Sequence, residues 1–140
     1  MPDQTSRDDR VAIDPAMHEI FKQLSDGADP EEVPFGQLKD VFLMAACLGY
    51  ARKKRRPLPT KTRDIIRLET FSQSDLPVLY ALAIATTGDV DILDQGYEFL
   101  TIAEEYANEG IHILQENLLN QRGRPLWNLV DLVRHEVQSG

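Results

Sequence analysis

Apolar residues recur at helical spacing along most of this chain, and the clearest stretch lies between residues 97 and 118. Its apolar positions follow one another at intervals of three and four residues: Tyr97, Leu100, Ala103, Tyr106, Ala107, Ile111, Leu114 and Leu118. The opposite face carries the acidic residues Glu98, Glu104, Glu105, Glu109 and Glu116, of which Glu104, Glu105 and Glu109 are expected to form a solvated face. This pattern predicts an amphipathic helix. Gly110 falls on or near the apolar stripe, which predicts close approach by another helix.

Four further helices follow from similar patterns and from their end signals. Asp14-Pro15 has the residue types of a helix start, and a first helix is predicted to continue to about residue 26. A second, over 36–53, is apolar nearly all round and is therefore predicted to be central. Ser74 or Asp75 caps a third that ends near Gly88, and a fifth follows Pro125. Residues 89–94 lack the pattern of an EF-hand calcium loop and indicate an acidic capping turn.

Residues 60–71 are ambiguous. Ile65, Ile66, Leu68 and Phe71 fit a short helix, whereas Ile66 and Leu68 also fit a short strand. No partner strand is evident, which favours a helix or irregular structure. The chain is therefore predicted to be all-α, with one compact domain of about five helices over 13–140 and a possible short β or irregular segment at 60–71. Residues 1–12 are predicted to be a flexible tail.

Charge is distributed unevenly. The 140 residues carry a net charge of −8, with 15 Lys and Arg against 23 Asp and Glu. Residues 52–67, called the basic segment below, hold 8 basic residues and one acidic residue. The next 54 residues, 68–121, hold no Lys or Arg and 10 acidic residues. The overall charge argues against a general nucleic-acid coat, but it is an average over two unlike regions.

The basic segment supplies the candidate binding residues, which are Arg52, Lys53, Lys54, Arg55, Arg56, Lys61, Arg63 and Arg67. Such a cluster suits the phosphates of a nucleic acid or an acidic partner protein. Alternatively, the segment lies against the protein's own acidic helices, which an excess of acid elsewhere favours.

Other candidate chemistry is sparse. His18, His112 and His135 are isolated, and Cys47 lies in an apolar helix that suits a buried, inert thiol. The aromatic residues Tyr97, Phe99, Tyr106 and Trp127 are expected to be core residues rather than base-stacking platforms, with a contact at a partner surface as the alternative for Trp127. We find no catalytic, metal or cofactor motif, and we expect a non-enzymatic, cytoplasmic protein without a membrane span or an intramolecular disulfide.

Several segments carry a family resemblance: Pro34-Phe35, residues 39–50, the run Arg55-Arg56-Pro57-Leu58, and residues 103–111. In this order they resemble the small accessory proteins encoded with bacterial DNA phosphorothioation (Dnd-type) modification and restriction systems, over about residues 13–119. Those systems replace a non-bridging phosphate oxygen of DNA with sulfur. The resemblance implies a context of DNA modification, restriction and phage defence, and it assigns no functional residues.

Two functions are therefore expected. The first is a non-catalytic accessory or adaptor protein whose basic segment contacts DNA phosphates or an acidic partner of a modification complex. The alternative is a helical scaffold that binds proteins or forms homo-oligomers without touching DNA.

Overall fold

Helices make up most of the protein in the computed structural model, which describes residues 9–139. Within that part of the chain lie five α-helices and one two-stranded antiparallel sheet. The helices are α1 (His18–Ser25), α2 (Leu38–Ala51), α3 (Leu76–Thr87), α4 (Glu98–Leu114) and α5 (Pro125–Ser139), and the strands are β1 (Arg10–Ile13) and β2 (Arg63–Arg67). The predicted helical single-domain architecture is confirmed.

The centre of the fold is the antiparallel pair of α2 and α4, which make the most extensive interhelical contact. A Cβ built on Gly110 would lie 1.7 Å from the carbonyl oxygen of Ala45, and one on Gly49 would lie 2.1 Å from that of Tyr106. No larger residue fits where backbone meets backbone this closely. The expected role of Gly110 is confirmed, and α2 is central as predicted.

The sheet differs from the sequence prediction. Residues 63–67 form β2, so the helical or irregular structure favoured there is wrong, and the strand left open as an alternative is present. Its partner is β1, which starts inside the predicted tail 1–12 and buries Val11 and Ala12. The two strands lie about fifty residues apart in sequence, so neither predicts the other locally. Residues 1–8 of the predicted tail lie outside the described residues.

Most helix ends follow the sequence signals. The Asp14 side chain accepts a hydrogen bond from the Ala16 N–H, and a 3₁₀ turn (Pro15–Met17) leads into α1. Gly88 ends α3 in the left-handed conformation, with φ at 72°. Asp89 caps a 3₁₀ turn (Val90–Asp94), which confirms the acidic capping turn. A π-helical segment (Gln115–Leu119) extends α4 towards the loop before α5. Among the described residues, no helix is both long and apolar enough to cross a membrane.

Candidate nucleic-acid interface

The basic segment starts at the carboxyl end of α2, where a tight turn reverses the chain. Lys53 adopts a left-handed conformation with φ at 54°, the Lys53 N–H bonds the Tyr50 carbonyl, and the Lys54 N–H bonds the Gly49 carbonyl. This pair of bonds is the Schellman arrangement that satisfies the last carbonyls of a helix. The turn sends Arg55 and Arg56 back across α4.

Three arginines of the basic segment, here called the arginine clamp, pair with carboxylates of other helices. Arg55 contacts Glu105 at 2.9 Å and Arg56 contacts Glu109 at 3.0 Å, both on α4. Arg52 contacts Glu136 of α5 at 2.5 Å. The clamp therefore joins the end of α2 to two other helices, so this part of the basic segment is internally paired.

Backbone groups strengthen the same junction. The Arg56 N–H donates to the Glu105 carbonyl at 3.0 Å. The Asn108 side-chain amide donates to the carbonyls of Arg56 and Pro57, each at 3.2 Å. These bonds hold residues 55–57 on the surface of α4 independently of charge.

Two carboxylates of the acidic face of α4 are buried, so the solvated face predicted for Glu104, Glu105 and Glu109 is wrong for Glu104 and Glu109. Glu104 is 3% exposed and accepts a hydrogen bond from the Ala12 N–H at 2.7 Å, and Glu109 is 9% exposed. The strand β1 and the returning basic segment cover these carboxylates. Asn108, also buried, is a structural residue that sequence analysis missed because its partners are backbone carbonyls distant in sequence.

The remaining cations of the basic segment do not take part in the clamp. Side chains of Lys53, Lys54, Lys61 and Arg63 are exposed, and none forms an ion pair within residues 9–139. Lys53 lies over the Tyr50 ring, at 5.9 Å from its centroid. Arg67 reaches Glu69 only at 4.0 Å, with both side chains largely exposed.

Several of these cations gather beside the sheet. Arg67 lies directly opposite Arg10 in the antiparallel ladder, and both residues are exposed. Arg63, on β2 with Arg67, is close enough to His18 of α1 for its charge to act on the imidazole. Lys22, one turn after His18 on α1, acts on the same imidazole. We call this group the sheet patch, and its members are Arg10, Lys22, Lys61, Arg63 and Arg67. Arg10 and Lys22 come from outside the basic segment, so sequence analysis missed them; only the pairing of β1 with β2 and the position of α1 reveal them.

The His18 imidazole reports on the sheet patch. Burial lowers the pKa of His18 below its ordinary value, and the charges of Arg63 and Lys22 lower it further, while Glu19 raises it. Protonating this imidazole would add a positive charge beside two existing ones. A nearby cavity of about 450 Å³ is lined by His18, Lys22, Ser25, Asp26 and Leu38.

Replacing Arg63 by alanine is therefore expected to raise the pKa of His18, because it removes the largest charge effect on the imidazole. A titration of the imidazole carbon-bound protons by NMR measures this directly. His112, whose pKa is lowered by burial and by Arg56, serves as the internal control. Arg63→Ala should leave its titration unchanged, and an unmoved His18 would contradict the proximity of these cations.

A second polar recess lies between the end of α2 and α5. This cleft, of about 620 Å³, is lined among others by Arg52, Arg122, Asp131 and His135. Arg52 is committed to Glu136, whereas Arg122 is exposed and forms no ion pair within the described part of the chain. The cleft thus adds one unpaired cation, distant in sequence from the sheet patch.

Three further expectations concern reactive, metal-binding and aromatic residues. Cys47 is exposed, so the expected burial of this residue is wrong. Partial desolvation of the sulfur nevertheless raises the pKa of the Cys47 thiol, which favours its protonated form. Within residues 9–139, no three His, Cys, Asp or Glu side chains are grouped to hold a metal. Trp127 is 56% exposed and is not the core residue expected, although its indole N–H approaches a carboxylate oxygen of Glu31 at 3.4 Å.

The architecture and the site define a small helical protein that carries a patch of exposed cations beside a two-stranded sheet. The chain belongs to the family described as DNA sulphur modification system-associated protein 4, whose model matches residues 10–139. This match confirms the resemblance noted from the sequence, and it extends it to α5. No curated protein and no solved structure matches the chain.

Proposed function

We propose that this protein is a non-catalytic accessory component of a DNA sulphur modification or defence system, and that its sheet patch contacts DNA phosphates. Family membership supplies the DNA-modification context. The observation that carries the proposal is the group of exposed cations at the sheet, where Arg10 and Arg67 oppose each other across the ladder.

Like charges directly opposite on neighbouring strands destabilise a sheet. Asp64 and Glu69 lie in the same stretch and offset part of the charge, but Glu69 contacts Arg67 only at 4.0 Å. A bound phosphate would accept hydrogen bonds from such arginines and relieve their repulsion. Lys61, two residues before Arg63, and Lys22, one turn after His18 on α1, are exposed and add positive charge that successive phosphates could contact.

The arginine clamp has a different role in this proposal. Its guanidinium groups are held by Glu105, Glu109 and Glu136, so they position the chain rather than contact DNA. Lys53 and Lys54, at the turn after α2, are exposed and remain available as additional phosphate contacts.

Reversing one charge of the sheet patch is expected to weaken binding to duplex DNA strongly. Wild-type protein should raise the anisotropy of a fluorescent duplex at low salt, and Arg63→Glu should lower the affinity about tenfold or more, since it replaces attraction by repulsion. Arg122→Glu is the matched control, because Arg122 is also exposed and forms no ion pair among the described residues but belongs to the cleft beside α5.

The comparison separates three results. Loss of affinity in Arg63→Glu, with Arg122→Glu close to wild type, supports the proposal. An equal loss of DNA affinity in both variants would show that the protein contacts DNA, but not specifically through the sheet patch. No binding by the wild type at low salt, together with Arg63-dependent capture of an acidic protein of the same modification system, would replace DNA by a protein partner.

A further inference from the structure

Helix α5 presents an exposed apolar face. Val133 is 37% exposed, Trp127 56% and Val137 74%, and these are three of the four large hydrophobic side chains that are exposed in the described part of the chain. Leu126 and Val130, on the same side of the helix, are half-buried. The spacing of Leu126, Val130, Val133 and Val137 is four, three and four residues, which is the seam of a two-helix coiled coil.

The opposite side of α5 is anchored to the rest of the protein. Leu132 is buried, Glu136 pairs with Arg52, and the Asn128 side chain donates to the Leu118 carbonyl. The apolar face is therefore the outward face of a fixed helix: Glu31 contacts its amino end at the Leu126 N–H and the Trp127 indole, whereas Val133 and Val137 are exposed.

We propose that this face binds the same face of a second copy of this chain, so that two α5 helices pack antiparallel about a twofold axis. A twofold interface must be self-complementary. In this register Leu126 lies level with Val137 of the second copy, and Val130 lies level with Val133 of the second copy. Each apolar side chain then meets another apolar side chain.

The polar edge of the face fits the same arrangement. Trp127 and Arg134 border the apolar face on one side, seven residues apart. Antiparallel pairing in this register places Arg134 of the second copy on the same edge as Trp127, two residues or about 3 Å from level with it, and twice by symmetry. Arg134 is exposed and forms no ion pair within the described residues, so its guanidinium is available to stack on the indole.

Parallel pairing fits less well. It would bring the Trp127 edge of one helix against the Leu129 and Glu136 edge of the other, and that edge faces the protein's own body through the bond of Glu136 to Arg52. The 15-residue helix is about 22 Å long, so the contact is small and we expect a weak dimer in the micromolar range.

Analytical ultracentrifugation of the full chain under reducing conditions tests the proposal, and the reductant excludes disulfides through the exposed Cys47. The wild-type mass should rise from one chain to two between about 1 µM and 1 mM. Val137→Glu should remain one chain throughout. Val90→Glu, the same change at a 65% exposed valine between α3 and α4, should dimerise like the wild type.

Fluorescence gives an independent readout, because Trp127 is the single tryptophan. Its emission should shift to the blue as wild-type concentration rises and should stay constant in Val137→Glu. Arg134→Glu should weaken dimerisation about tenfold while leaving the apolar face intact. A wild-type chain that stays monomeric over this range, or a Val137→Glu variant that dimerises like the wild type, would overturn the proposal.

Discussion

Replacing Gly110 by alanine is expected to destabilise the protein by about 3 kcal/mol, although alanine is the better helix former by about 1 kcal/mol. The added Cβ would lie 1.7 Å from the Ala45 carbonyl oxygen, and this neighbour is backbone that no rotamer change can move away. The helices α2 and α4 must separate, and the buried contacts between them loosen. Urea unfolding followed by circular dichroism measures the change through the midpoint.

Gly36→Ala is the control for this prediction. A Cβ at Gly36 would meet only the Asp40 carboxylate, at 3.8 Å, so alanine fits there without displacement. Its unfolding midpoint should stay close to that of the wild type. If Gly110→Ala and Gly36→Ala have the same urea unfolding midpoint, α2 and α4 are not packed backbone to backbone.

Replacing Glu104 by alanine is the second substitution with a large expected effect, again about 3 kcal/mol. The Glu104 carboxylate accepts the hydrogen bond of the Ala12 N–H at the register shift between β1 and β2. Without it, a buried donor loses its acceptor and a cavity opens between β1 and α4. The loss should appear in urea unfolding and as faster hydrogen exchange of the β1 amides.

Glu116→Ala is the matched variant, since Glu116 is an exposed carboxylate of the π-helical segment that continues α4. Its removal should change stability by less than about 0.5 kcal/mol. Equal stability losses in the two variants would show that the buried hydrogen bond of Glu104 contributes nothing of its own.

These two sites also show how far the sequence could be interpreted. The periodicity of α4 is strong, and a glycine on its apolar stripe has few uses besides close helix contact, so the role of Gly110 was predictable. The role of Glu104 was not, because a carboxylate at helical spacing among other carboxylates resembles a solvated face. Only the strand that crosses it, formed by residues more than ninety positions away, makes it a buried acceptor.

The sequence located the basic segment, but it did not show which of its cations pair with carboxylates of the protein and which stay exposed. The charge count located all eight cations, yet it could not separate Arg55, whose partner is Glu105, from Arg63, which has none among the described residues. That separation depends on the turn at Lys53 and on the pairing of β2 with β1. Both features join residues that are distant in sequence, and therefore neither could be inferred from local patterns.

The division of the basic segment gives the protein's charge a physical interpretation. Carboxylates of α4 and α5 neutralise the arginine clamp, which fixes the end of α2. The cations beside the sheet keep their charge at the surface. An acidic protein can in this way present a local cluster of exposed cations, and the proposed contact with DNA depends on that cluster.

The most direct test of this account is the salt dependence of DNA binding by Arg63→Ala and Arg55→Ala. Each phosphate contact contributes about 0.9 to the slope of log affinity against log salt concentration. The account predicts that Arg63→Ala reduces this slope by about one, and that Arg55→Ala leaves it unchanged while lowering stability. An unchanged slope in Arg63→Ala, or a reduced slope in Arg55→Ala alone, would contradict the assignment of the sheet patch as the DNA-contacting surface.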